Sequence, residues 1–259
     1  MTGGSGFIGS HLISAADSAG AVVLNLDLRA PRDRNAGEWR DVDLLNAPDL
    51  AAAIGEFEPD TIYNLAAAAD ISGEGDAYRV NTDGLRNLLA ANTALPRPPH
   101  VIHASTQFVV RPGYQPAHDR DCAPYTEYGE TKAKSEEILW TAGSSTPWTI
   151  VRPTMVWGPW HPSFARTIWR YIARRWYMMP GGADPIRSYG YVGNVVAQLL
   201  RIGLLFPDGA RRVFYAGDEP VRSSRWLDGF SQALTGRPVR RVPQALLNVA
   251  GRPVPGSVF

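Results

Sequence analysis

The sequence predicts an α/β protein built on a doubly wound parallel sheet, and three observations lead there. Short, continuous, partly β-branched apolar runs recur at Ala21–Leu26, Thr61–Leu65, His100–Ala104 and Trp148–Arg152. Strands covered on both faces read this way. Helix-like stretches over Phe7–Ser18, Ala47–Glu56, Ala77–Ala94 and Tyr125–Thr141 separate them, and alternation at this spacing signals βαβ units. Finally, three glycines, Gly3, Gly6 and Gly9, recur every third residue at the opening of the first helix.

Each element has its place in this scheme. Phe7–Ser18 follows directly on the glycines. Ala21-Val-Val-Leu-Asn-Leu26 is the next strand and ends at Asp27. Ala47–Glu56 crosses back to Thr61-Ile-Tyr-Asn-Leu65. Ala77–Ala94 leads to His100-Val-Ile-His-Ala104, which runs into Ser105-Thr106 at the carboxyl edge of the sheet, where α/β proteins build their sites. Tyr125–Thr141 and Trp148-Thr-Ile-Val-Arg152 close the pattern. From Pro153 onward Pro and Gly recur (Pro153, Gly158, Pro159, Pro162, Pro180, Gly181, Gly182, Pro185), with Trp and Tyr among them. The chain therefore divides into a sheet domain over residues 1–152, to which some later segments return, and a less regular, mainly substrate-binding region over 153–259. The stretch Trp169–Met179, rich in Trp, Tyr and Met, reads as packing in preference to a platform for a ring.

Composition removes several classes. With 44% hydrophobic and 20% charged residues in 259, wholesale disorder is excluded. No apolar run approaches the ~18 residues of a membrane-spanning helix, and no basic segment precedes an apolar one as in a secretory signal. The single cysteine, Cys122, excludes an internal disulfide framework and a Cys-based zinc site. His11, His100, His103, His118 and His161 lack zinc-ligand spacing and read as surface or sheet-edge residues. A reducing, cytoplasmic setting is the default expectation. Charge is uneven: residues 1–150 carry 11 Lys/Arg against 20 Asp/Glu, whereas 151–259 carry 15 Arg, no Lys and 5 Asp/Glu. A basic half suits an anionic ligand such as a phosphate, a nucleic acid or an acidic surface, and on charge alone reads more plainly as a solvated basic face; with the motifs below, neither a nucleic-acid partner nor a membrane is expected.

The glycine turn suggests what that ligand is. Such a turn lets backbone N–H groups approach a pyrophosphate at a helix N-terminus, where the helix dipole favours negative charge. Asp27 stands where the acid that accepts from adenosine ribose hydroxyls should sit, about 20 residues on at the end of the next strand. An acid there repels a 2′-phosphate, which favours NAD over NADP, although Arg29 lies two residues later.

A second constellation is chemical. Tyr128-Gly-Glu-Thr-Lys132 puts Tyr128 and Lys132 on one helix face. A tyrosine of pKa about 10 is a poor base at neutral pH. A nearby ammonium and an oxidised nicotinamide favour the phenolate, so the pair suits proton transfer to or from a hydroxyl or carbonyl during hydride transfer. The chain has only two lysines, Lys132 and Lys134, which makes a chance match less common than in a Lys-rich chain. Thr106, at the end of its strand, would hydrogen-bond the reacting oxygen; the plainer alternative is a hydroxyl that caps the next turn.

With these residues together the chain resembles the extended short-chain dehydrogenase/reductase superfamily, in its NAD-dependent epimerase/dehydratase branch acting on nucleotide sugars. The resemblance runs from Thr2 to about Val196 and more weakly to Ala250. It implies a Rossmann-type fold in which Gly3, Gly6, Phe7, Ile8 and Gly9 form the cofactor turn. Asp27 then holds the ribose, Asp43-Leu44 flank the adenine, and Leu65-Ala66-Ala67 run along NAD. Asn81 supports a proton relay. It makes Thr106, Tyr128 and Lys132 the catalytic triad, with Tyr128 and Lys132 also touching the cofactor, sets Pro153 near the nicotinamide, and gives Arg187 the substrate diphosphate. It also implies a homodimer joined through the helix bearing Tyr128 and the helix before it.

Departures narrow the activity. Gln107-Phe108 stand where dehydratases of this family carry an Asp-Glu pair, which disfavours 4,6-dehydration. Met155 occupies the place of a diphosphate-contacting Asn, and Asn194 that of a structural acid. The expected activity is thus an NAD-dependent nucleotide-sugar epimerase or ketoreductase. The alternatives are a reductase of a small or hydrophobic alcohol or ketone, favoured by Met155 and opposed by Arg187, and a non-catalytic dinucleotide-binding protein. One further expectation concerns the ends. Met1 directly precedes Thr2-Gly3, so the strand that should enter the glycine turn is missing from the written sequence; a start placed too late and an incomplete C-terminus are expected, with weak NAD binding that an added apolar strand would restore.

Overall fold

The computed structural model describes residues 1–33, 35–69, 75–143, 146–182, 184–206 and 211–243. Its centre is a parallel sheet. Strands β1 (Leu24–Leu26) and β2 (Glu38–Arg40) pair on one side, and β3 (Thr61–Asn64), β4 (His100–Ala104) and β5 (Trp148–Pro153) on the other. Between them lie Met1 and Thr2: Thr2 bridges Leu26 and Asn64 in parallel, donating its N–H to Tyr63 O and accepting from Leu65 N. The slot before the glycine turn is thus filled by two residues, and the Met1 amine is buried against Leu24 O at 2.7 Å, which pushes its pKa down to about 5.

Helices α1 (Phe7–Ser18), α2 (Ala47–Phe57), α3 (Leu85–Thr93) and α4 (Glu127–Thr141) lie where the alternation places them. Their bounds differ from the sequence reading for local reasons. Ala21 and Val22 are exposed and Val23 is buried but outside the ladder, so β1 is confined to Leu24–Leu26, where it pairs with β2. The stretch expected as one helix from Ala77 to Ala94 is broken into a 3₁₀ turn (Gly75–Tyr78), a π turn (Val80–Gly84) and α3. The Thr126 side chain accepts from Gly129 N and so fixes the start of α4.

Two apolar layers sandwich the sheet, and the two-residue period of β4 assigns its side chains to them. Val101 joins Leu50, Leu85, Leu88, Leu139 and Trp148 under α2–α4, whereas Ile102 joins Leu12, Val151, Val195 and Leu199 on the opposite face. That second layer rests on α1 and on α6 (Val192–Leu205), whose Val192, Val195, Val196, Leu199 and Ile202 form one buried stripe.

The remainder is smaller pieces. β6 (Met155–Trp157) pairs with β9 (Tyr189–Tyr191), β7 (Met178–Gly181) with β12 (Arg240–Pro243), and β8 (Ile186–Arg187) with β11 (Val221–Arg222). Helices α5 (Arg170–Ala173) and α7 (Ser223–Thr235) pack together. β10 (Arg212–Ala216) returns to the main sheet beside β5. An aromatic cluster fills this region: Trp169 and Phe230 lie 4.0 Å apart, and Trp226 is stacked on Tyr189 at 4.1 Å. The expected packing character of Trp169 is thus what the fold shows. No helix among the described residues is long and apolar enough to cross a membrane.

Candidate active site

Four consecutive residues at the carboxyl end of β4 each engage α4. His103 Nε2 lies 2.9 Å from Ser135 Oγ, and Ala104 O accepts from Lys132 Nζ at 2.9 Å. Ser105 Oγ donates to Glu136 Oε1 at 2.5 Å, and Thr106 hydrogen-bonds Tyr128. The reason is periodic. His103 and Ser105 point to the same side as Val101, toward α4, while Tyr128, Lys132, Ser135 and Glu136 recur at helical spacing on one face. Thr106 also caps the 3₁₀ turn Gln107–Val109, accepting from Phe108 N. Both readings of that hydroxyl hold at once.

The side chains that make this seam are buried: Tyr128 is 8% exposed, Thr106 6% and Lys132 2%, and Ala104, which contributes only its carbonyl, is half-buried. Burial pushes the Tyr128 phenol up to about 12, with the Thr106 hydrogen bond opposing it. It also pulls the Lys132 ammonium down to about 8, against the attraction of Glu136. Each group is thus biased toward its neutral form, and the two sit one helical turn apart. Beneath them Glu136 meets Arg152 of β5 in a bidentate pair, Nε to Oε1 at 2.9 Å and Nη2 to Oε2 at 2.6 Å, with both side chains almost fully buried.

The glycine turn faces this seam across the sheet end. Gly3 has φ +68°, and a Cβ there would lie 2.4 Å from Ala66 N, so only glycine fits. A Cβ on Gly9 would strike Gly3 O, whereas Gly6 meets only Gly3 O at 3.1 Å. α1 starts with no side-chain cap and no acid in its first turn, which leaves its first N–H groups for an anion. Phe7 and Ile8 are half-buried behind them. Asp27 accepts from Ser5 N at 3.0 Å and from Arg29 N at 2.9 Å, so its carboxylate is fixed beside the turn with lone pairs to spare. These residues fit a dinucleotide: backbone donors for a pyrophosphate and an anchored carboxylate for ribose hydroxyls.

The other expected residues are distributed as follows. Leu65, Ala66 and Ala67 run half-buried from β3 past Gly3. Asn81 accepts from Ala68 N at 3.0 Å and donates to Thr131 Oγ1 of α4 at 3.0 Å, tying the Ala66–Ala68 segment to the helix of Tyr128. Asp43 accepts from Leu45 N, and Leu44 is buried with its carbonyl held by Asn87. Pro153 ends β5, buried. Met155 packs half-buried against the aromatic cluster. Arg187 lies on β8, half-buried, and its charge reaches Tyr125 and Tyr177. Asn194 donates to Asp218, which also accepts from Tyr191 N.

One expectation is corrected. His100 and His103 are not at the surface or at a sheet edge: both are 1% exposed, on β4. Each finds a hydroxyl or amide partner there, Thr149 for His100 and Asn64 and Ser135 for His103, which is what makes burial tolerable. The sequence reading also missed Glu136 and Arg152, although Glu136 stands four residues after Lys132, on the same helix face.

A doubly wound sheet with a glycine turn at one strand end and a Tyr-x-x-x-Lys helix along another defines a Rossmann protein of the short-chain dehydrogenase/reductase type. More narrowly, the chain belongs to the NAD-dependent epimerase/dehydratase family, whose model matches residues 1–209. It is 30% identical over 206 residues to an N-acetyl-α-D-glucosaminyl-diphospho-ditrans,octacis-undecaprenol 4-epimerase of Escherichia coli O157:H7, covering 76% of this chain and 60% of that protein. It is 29% identical to a 3β-hydroxysteroid dehydrogenase/Δ5→4-isomerase of Mycobacterium tuberculosis over 244 residues, 85% of this chain and 65% of the relative. The chain thus spans about two thirds of these relatives' length or less. Among solved structures, UDP-glucose 4-epimerase of Thermus thermophilus in complex with NAD superposes with TM-score 0.73 at 25% identity, covering 98% of this chain and 86% of that one.

Proposed function

We propose that this chain is an NAD-dependent epimerase or ketoreductase of nucleotide-linked sugars. The observation that carries the reading is the Tyr128 hydroxyl, hydrogen-bonded to Thr106 and one helical turn from Lys132, at the sheet end that also bears the glycine turn. Similarity to sugar 4-epimerases supports the substrate class.

In this reading Gly3, Gly6, Phe7, Ile8 and Gly9 hold the pyrophosphate through the first N–H groups of α1. Asp27 holds the ribose, Asp43-Leu44 border the adenine, and Leu65–Ala67, Asn81 and Pro153 line the path toward Tyr128. NAD, when bound, supplies the hydride acceptor and a positive ring charge that favours the phenolate. Tyr128 Oη takes the proton of the sugar hydroxyl, or gives it to the keto oxygen, and Thr106 Oγ1 orients that oxygen. The Lys132 ammonium, held on Ala104 O, lowers the cost of the phenolate that burial raises. Arg187 pairs with the diphosphate, and Met155 borders the sugar side. A homodimer through α4 and α3 belongs to the same reading and is checked by light scattering.

The test is to load the protein with NAD and follow a panel of UDP-, dTDP- and GDP-sugars by NMR. Conversion of at least one is expected. Arg187→Ala should then raise the KM for that sugar by about tenfold or more, since a guanidinium–phosphate hydrogen bond contributes about 1.5–3 kcal/mol, and leave NAD affinity unchanged. If no sugar is converted but a hydrophobic ketone is, the steroid dehydrogenase similarity becomes the better guide.

A further inference from the structure

His103 belongs to no function so far assigned, yet both of its ring nitrogens are engaged. A continuous line of donors runs through it. Thr2 Oγ1 donates to Asn64 Oδ1 at 2.7 Å, and Asn64 Nδ2 lies 2.9 Å from His103 Nδ1. His103 Nε2 lies 2.9 Å from Ser135 Oγ, and Ser135 Oγ donates to Lys132 O at 2.7 Å. An amide nitrogen can only donate, so Nδ1 accepts and the single ring proton sits on Nε2, pointing at Ser135. Every bond in the line therefore runs the same way. It starts at the residue before Gly3 of the cofactor turn and ends on the backbone of Lys132.

The surroundings keep the ring neutral. From β3 it meets the neutral amide of Asn64, which itself accepts from Thr2, and across on β5 its register partner is the apolar Ile150. From α4 it meets the Lys132 ammonium, which together with burial holds the imidazole pKa well below its ordinary value. The carboxylate on the same helix, Glu136, is committed to Arg152 and Ser105. A protonated ring would have to donate from Nδ1 into the Asn64 amide and would stand as a second cation beside Lys132.

We propose that His103 is a positioning residue. As a neutral Nε2–H imidazole it transmits the placement of the Thr2-Gly3 turn to the helix turn that carries Lys132, and so sets the distance between the ammonium and the Tyr128 phenol. This inference rests on the proton-transfer role given to Tyr128 and Lys132, so its test includes a readout that needs no substrate.

That readout is the ¹⁵N spectrum of the NAD-loaded protein labelled at histidine. The expected result is one imidazole with a protonated Nε2 and an unprotonated Nδ1 that does not titrate from about pH 5 to 9. If the imidazole whose signals disappear in His103→Gln titrates in this range, or is protonated on Nδ1, the proposal is overturned whether or not a sugar is converted. The functional arm compares His103→Leu with His103→Gln, whose amide can accept from Asn64 and donate to Ser135. His103→Leu should lower kcat about tenfold, with KM nearly unchanged, and shift the basic limb of the phenolate pH profile upward. His103→Gln and a Ser135→Ala variant separate the alternatives if His103→Leu fails to fold: Gln should restore most of kcat, and Ser135→Ala should show the same pH shift. A fall in melting temperature with kcat and the pH profile intact in all folded variants contradicts positioning.

Discussion

Two interiors meet in this molecule, and they are built on different rules. Along the seam between β4 and α4 each contact is a directed polar bond: His103 to Ser135, Ala104 to Lys132, Ser105 to Glu136, Thr106 to Tyr128. In the C-terminal cluster the contacts are ring against ring, with Trp157, Trp169, Trp226 and Phe230 meeting edge-on or tilted at 4.0–6.4 Å. Among the described residues the buried indole N–H groups of Trp157 and Trp226 have no protein partner. The difference teaches how each region tolerates change. A directed bond broken on one side strands a buried polar group, whereas a ring replaced by a smaller ring leaves only a partial void.

The sharpest way to break the comparison is Arg152→Met. It removes both bonds to Glu136 together with those to Asp119 O and Tyr215 Oη, leaving a carboxylate buried and unpaired. Urea unfolding should show a loss of about 3–5 kcal/mol, whereas replacing Arg152 and Glu136 together by Met and Leu should recover most of it. A loss below about 1 kcal/mol would mean that the seam is as tolerant as the cluster.

A somewhat smaller effect belongs to Lys132. Its pKa falls from an ordinary 10.5 to about 8 on burial. Between those values the unfolded chain binds a proton that the folded one does not, so folding stability rises with pH across the window. The gain is absent below about pH 8 and complete above about 10.5. Relative to Lys132→Met, the wild type should gain on the order of 3 kcal/mol over that range, by 1.36 kcal/mol per unit. Parallel stability curves for the two proteins would show that Lys132 is not buried as described.

The smallest expected effect is in the cluster. Trp226→Phe keeps an aromatic ring on Tyr189 and Phe230 and should cost about 1–2 kcal/mol in melting experiments, with turnover little changed. A loss as large as that of Arg152→Met would erase the contrast between the two regions.

The same contrast explains what could be read from the sequence. Gly3, Gly6, Gly9, Tyr128 and Lys132 carry short-range spacings, and the strand end at Thr106 follows from the short continuous run before it; these positions emerge without knowledge of the fold. His103 does not, because a histidine in a strand declares its burial only through Ser135, 32 residues on. Arg152 and Glu136 likewise become a pair only when β5 and α4 pack. The α6 stripe of Val192, Val195, Val196 and Leu199 was present as an i, i+3, i+4, i+7 pattern, but it stands in a Pro- and Gly-rich neighbourhood that reads as irregular. The return of β10 to β5 has no local signal at all, since register between distant strands is a tertiary property.

The central claim is that Tyr128, positioned by this seam, moves the proton in an NAD-dependent reaction on a nucleotide sugar. Its most direct test is a rapid-mixing experiment in which the NAD-loaded protein meets the converted sugar and the near-ultraviolet absorbance of reduced nicotinamide is followed, for the wild type and for Tyr128→Phe. The account predicts that the variant melts at nearly the same temperature and binds NAD equally, yet reduces it roughly 10²-fold more slowly or worse. Equal rates in the two proteins, with cofactor and sugar both bound, would contradict it.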